Sequence, residues 1–162
     1  MVLIEIFKNS YIRTGPKNGA HVNKKYASRK KVHYEAIWLT DEVRINGDEH
    51  LLRRLFRNAL DNAFSFAKES VSVKLEVRIN EIIITITDDG NGMSLETLKS
   101  FGQRKATRVQ EQSVDGRVSI GLGSVIMKTV AEIHGGKLQV KNKLNSSGVL
   151  LGAQVDIFLP SK

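Results

Sequence analysis

Three short groups of residues in this chain have the types and spacing to do chemistry. Asp88, Gly90 and Gly92 come directly after the apolar run 82–87. A carboxylate at the end of a buried strand can receive one specific hydrogen bond, and two glycines let the backbone approach a flat ligand closely. Asn58 and Asn62 stand four residues apart, one turn of a helix, so both carboxamides share a face. Gly121-Leu122-Gly123 opens a further helix, where free backbone N–H groups form an anion platform. Arg104, Lys105 and Arg108 precede it and can close over an anion.

Taken singly, each group has a plainer reading. D-x-G-x-G is a common turn, helix asparagines are usually solvated or satisfied by neighbours, and Gly-Leu-Gly is often only a turn into a helix. Loop cations are mostly solvated, Phe66 alone reads as core, and His134 reads as a C-terminal helix residue favoured by the dipole. In this order, however, they supply the parts of a nucleotide site. Asp88 can accept from an adenine amino group. Asn62 offers a neutral oxygen to Mg²⁺, which keeps waters and phosphate oxygens as its other ligands. Gly121 and Gly123 can meet phosphates.

The positioning elements follow from periodicity. Asp48 is an N-cap candidate for a helix over 49–67, whose Leu52, Leu55, Phe56, Ala59, Leu60 and Ala63 form an apolar stripe. Alternating Val71, Val73, Leu75, Val77 and Ile79, then a turn at Asn80-Glu81 into the strand from Ile82, predict a hairpin. Ser94 caps a short helix through Phe101. The polar, basic stretch 102–119 lacks periodicity and reads as a mobile loop. A helix runs from Gly121 to about His134, closed by Gly135-Gly136, and strands over 137–143 and 149–159 end the chain. Upstream, the spacing predicts a helix over 2–12, strands over 31–39 and 43–45, and a basic loop between. The fold class is an α/β two-layer sandwich with a mixed, mostly antiparallel sheet and helices on one face.

Composition sets the limits. The 162 residues suit one domain, 1–162, in which 1–31 is an N-terminal helix and basic loop. Hydrophobic content of 41% and charged content of 26% are those of a globular protein. No apolar run is long enough to span a membrane, and no secretory signal is evident. The absence of cysteine excludes disulfides and thiolate metal sites and fits a reducing, cytoplasmic setting. A net charge of +8 raises nucleic acid as a partner, but the cations gather at 17–31 and 104–117 rather than on a recognition helix, so none is expected.

The ordered motifs resemble the GHKL (Bergerat-fold) ATPases, and most closely the catalytic ATP-binding domain of sensor histidine kinases. Residues 55–63, Leu-Phe-Arg-Asn-Ala-Leu-Asp-Asn-Ala, look like the N box; 88–93 look like the G1 box. Residues 121–128, leading into His134-Gly135-Gly136, look like the G2 box, and Gly152-Ala153 with 157–160 resemble the G3 end. The resemblance spans 32–160. It implies that Asn62 binds Mg²⁺ with Asn58 in support, that Asp88 holds the adenine amino group, and that Gly90 and Gly92 shape the pocket. It further implies that Phe66 packs against adenine, that Gly121, Leu122 and Gly123 contact phosphates, and that 101–119 is the ATP lid.

In the gyrase, mismatch-repair and chaperone branches of this superfamily, and in anti-sigma serine kinases, a water-activating glutamate stands four residues before the metal asparagine. Here that position is Asn58, which argues for transfer to a separately supplied nucleophile. The implied partners are a histidine-containing dimerisation domain and a response regulator, with the domain itself monomeric. Departures from the family pattern are Ser65 for lysine (with Lys68 nearby), Ser119 for the first glycine of G2, Ala153 for threonine and Val155 for phenylalanine. An anti-sigma-type serine kinase and a non-catalytic, nucleotide-gated interaction module are the alternatives.

Overall fold

A computed structural model describes residues 33–38, 45–103, 111–112, 118–119 and 122–161, with side chains for 45–103 and 122–161. The elements, in chain order, are β1 (His33–Trp38), α1 (Glu49–Phe66), β2 (Ser70–Val77), β3 (Glu81–Asp88) and α2 (Leu95–Ser100). They continue with β4 (Glu111–Gln112), β5 (Val118–Ser119), α3 (Leu122–Ile133), β6 (Lys137–Leu144) and β7 (Leu150–Pro160). Five strands form one sheet in the order β1-β2-β3-β7-β6. The β1–β2 pair is parallel and the others antiparallel, the mixed sheet expected.

Each helix end has a visible cause. The Asp48 carboxylate accepts from the His50 and Leu51 amides, and Ser94 accepts from the Thr97 amide, so both expected N-caps form. The Gly136 amide donates back to the Ala131 carbonyl and ends α3. Helices α1 and α3 cover the same face of the sheet. From α1, Leu52, Leu55, Phe56, Ala59, Leu60, Ala63 and Phe64 are buried; from α3, Met127, Val130 and Ala131. They meet Val71, Val73 and Leu75 of β2, Ile82, Ile84 and Ile86 of β3, and Val155, Ile157 and Leu159 of β7. Each large apolar side chain so buried contributes about 1.5–3 kcal/mol.

Several expectations need adjustment. The stretch 102–119, expected to lack regular structure, contains the antiparallel pair β4–β5, with Glu111 opposite Ser119. Backbone pairing over two residues needs no side-chain periodicity, so sequence carried no sign of it. Of the strand expected over 43–45 only Ile45 is described; it lies outside any strand, buried in the core, and 43–44 fall outside the described residues. The helix expected over 2–12 and the basic stretch 17–31 fall outside the described residues. No helix among the described residues is long and apolar enough to cross a membrane.

Candidate ATP site

The two-residue period that buries Ile82, Ile84 and Ile86 carries on to Asp88, which therefore enters the core face as a carboxylate, 8% exposed. Its Oδ1 accepts from the Gly90 amide at 2.8 Å and from the Ala153 amide at 3.3 Å. No other described residue donates to Oδ2, leaving that oxygen open to a ligand. Burial pushes this carboxyl above the usual value, against the opposing pull of the two amides.

The turn after Asp88 is built to bring backbone close. A side chain at Gly90 would collide with the Phe66 carbonyl oxygen and come within 2.8 Å of Asp88 Oδ1. Gly92 has φ +68°, the left-handed region that glycine enters without strain. Asp89 faces the other way: its carboxylate gathers the amides of Lys68, Glu69 and Ser70 at 2.8–3.1 Å. Burial alone would raise its pKa, but the Ser70, Glu69 and Lys68 amides outweigh it and hold the group below the usual range. The 88–92 turn is thereby tied to the end of α1.

On α1, the Asn58 amide nitrogen donates to the Arg54 carbonyl at 2.7 Å, and its Oδ1 lies against Gly123. A Cβ on Gly123 would stand 3.2 Å from that oxygen, so glycine lets the start of α3 approach the asparagine helix. Asn62, one turn along, is half-buried and has no hydrogen-bond partner among the described residues. An unpartnered carboxamide oxygen beside Asn58 suits a Mg²⁺ that takes most of its ligands from water and phosphate.

Phe66 ends α1, half-buried and outside the apolar core, with its carbonyl against Gly90. Leu122 begins α3 and is exposed. The fold thus joins Asp88, Gly90 and Phe66 at one point and Asn58 and Gly123 at another. Arg104, Lys105, Arg108 and Gly121 lie outside the described residues. The Ser65 hydroxyl, where the family has lysine, donates to the Asp61 carbonyl, and Lys68 uses its backbone amide on Asp89.

Three participants escaped the sequence. Asp89 and the Ala153 amide reveal their partners only in three dimensions. Asn142 holds both backbone groups of Met93, and its one sequence sign is a polar residue in the phase of Leu138 and Val140. His134 is more than a dipole-favoured terminal residue. Its Nδ1 donates to the Val130 carbonyl while Nε2 accepts the Asp48 amide, stapling the end of α3 to the start of α1.

Comparisons with known proteins identify the fold and the family. The sensor protein KdpD of Clostridium acetobutylicum is 31% identical over 105 residues, 64% of this chain but only 12% of KdpD. The mycobacterial sensor histidine kinase MprB has the same fold, with TM-score 0.75 at 23% identity, covering 100% of this chain and 97% of that one. The histidine kinase ThkA, solved in complex with the response regulator protein TrrA, superposes with TM-score 0.72 at 14% identity, covering 100% of this chain and 41% of ThkA. Residues 47–162 match the family described as histidine kinase-, DNA gyrase B-, and HSP90-like ATPase, and the chain belongs to that family, as a homologue of sensor histidine kinase catalytic domains.

Proposed function

We propose that this chain positions Mg²⁺-ATP for phosphoryl transfer to a histidine on a separate helical dimerisation domain, in a two-component sensor kinase. The observation that carries the reading is Asn58. Its carboxamide is bonded to the Arg54 carbonyl and seated against Gly123. A neutral amide there cannot take a proton from water, so the γ-phosphoryl is kept for a nucleophile brought by a partner.

In this reading Asp88 Oδ2 accepts from the adenine amino group, with Gly90 and Gly92 admitting the ring and Phe66 at its edge. Asn62, supported by Asn58, holds Mg²⁺, whose charge offsets that of the phosphates. Gly121, Leu122 and Gly123 present amides to the phosphates, and Arg104, Lys105 and Arg108 cover them. An imidazole nitrogen attacks the γ-phosphorus as the bond to the β,γ-bridging oxygen breaks, and ADP leaves with the electron pair. The phosphohistidine then serves a response regulator. A domain that consumes ATP in this way would work in the cytoplasm.

The test is to mix the chain with its histidine-bearing helical domain, Mg²⁺ and γ-labelled ATP. Acid-labile label on the helical domain is the expected result. Acid-stable label would mean a serine kinase, and nucleotide binding with no transfer would mean an interaction module.

A further inference from the structure

We propose that Asn142 is a positioning residue for purine specificity: it locks the far end of the 88–93 turn so that Asp88 accepts from adenine and discriminates against guanine. The inference rests on the adenine-pocket reading above. Met93 belongs to no strand, yet both of its backbone groups are paired as a strand neighbour would pair them. Asn142 Oδ1 accepts the Met93 N–H at 2.7 Å, and Asn142 Nδ2 donates to the Met93 carbonyl at 2.8 Å.

The preceding residue is fitted to this clamp. A Cβ on Gly92 would stand 2.9 Å from Asn142 Oδ1 and 2.9 Å from Leu150. Asn142 also lies opposite Ala153 in the β6–β7 register, and the Ala153 amide donates to Asp88 Oδ1. Asp88, Ala153, Asn142 and Met93 therefore form a closed circuit through the end of β3, two neighbouring strands and the turn. Asp89 fixes the near end of the same turn through three amides. With both ends held, Asp88 Oδ2 is presented in one orientation before a ligand arrives, which lowers the ordering cost of binding.

Guanine carries a carbonyl where adenine carries its amino group, so only adenine draws on that orientation. Loosening the turn must then cost ATP more than GTP. The measurement is the affinity of Mg²⁺-ATP and Mg²⁺-GTP by calorimetry, with thermal melting, for wild type, Asn142→Ala and Asn142→Ser. In Asn142→Ala the ATP affinity and the ATP:GTP ratio should each fall roughly tenfold, about 1.4 kcal/mol. The serine hydroxyl stops one bond short of the carboxamide atoms and reaches Met93 only if the turn shifts, so serine should lose at most as much as alanine, and it carries the test if the alanine variant does not fold. An unchanged ATP:GTP ratio, or equal losses for both nucleotides alongside a lower melting temperature, overturns the inference while leaving the adenine pocket standing. Should wild type show no preference for ATP, the pocket reading fails first and this inference falls with it.

Discussion

Replacing Asp88 with asparagine separates recognition from folding because the two carboxylate oxygens have different jobs. Oδ1 serves the protein, accepting from Gly90 at 2.8 Å and Ala153 at 3.3 Å. An asparagine carbonyl oxygen in the same place keeps both bonds. The amide nitrogen then replaces Oδ2, turning a ligand-facing acceptor into a donor that opposes the adenine amino group. Loss of a hydrogen bond to a charged acceptor costs about 1.5–3 kcal/mol. ATP affinity should therefore fall roughly 10- to 150-fold. Stability should hold or rise, since burial disfavours the charge that the change removes. GTP, whose carbonyl can accept from the new amide, should lose far less. Calorimetry with Mg²⁺-ATP and Mg²⁺-GTP, together with chemical denaturation, reads all three quantities. ATP affinity within about twofold of wild type in a folded variant would refute the reasoning.

Gly90→Ala places a methyl group against the Phe66 carbonyl and 2.8 Å from Asp88 Oδ1, so the turn must shift. Denaturation should show a loss of about 1–3 kcal/mol with weaker ATP binding, and full stability would contradict the packing. Asn62→Ala should leave stability within about 0.5 kcal/mol, because the side chain has no described partner, while removing the Mg²⁺ dependence of ATP affinity by calorimetry. On acidification ATP affinity should fall through a midpoint above 3.8, because burial raises Asp88 and a proton on Oδ2 turns the ligand-facing acceptor into a donor. The stability contributions of the two aspartates have opposite signs. That of Asp88, with a raised folded pKa, is fully present below 3.8 and lost as pH rises through the folded value. That of Asp89, with a lowered one, is present above 3.8 and lost as pH falls through its folded value. A binding titration centred at or below 3.8, or flat in pH, would contradict the assignment of Asp88.

The α/β architecture was legible because periodicity and caps act locally: Asp48 and Ser94 sit where their helices begin, and the alternation of 71–77 and 82–86 set both strands and their buried faces. Asp88 and the asparagine pair were legible as types at a spacing. What sequence could not show were pairings between distant segments. Asp89 reaches amides about twenty residues back, Asn142 reaches Met93 across the sheet, and His134 reaches Asp48 from the far end of α3. Each depends on tertiary approach rather than on a local pattern. The β4–β5 ladder escaped for a different reason, since two paired residues leave no period to detect.

The most direct test of an adenine-reading ATP site is a crystal structure of this chain with Mg²⁺ and a non-hydrolysable ATP analogue. The expected result is the adenine amino group within about 3 Å of Asp88 Oδ2, with the phosphates between Asn62 and the start of α3. Adenine bound elsewhere, or a carboxylate of Asp88 that contacts no part of the nucleotide, would contradict it.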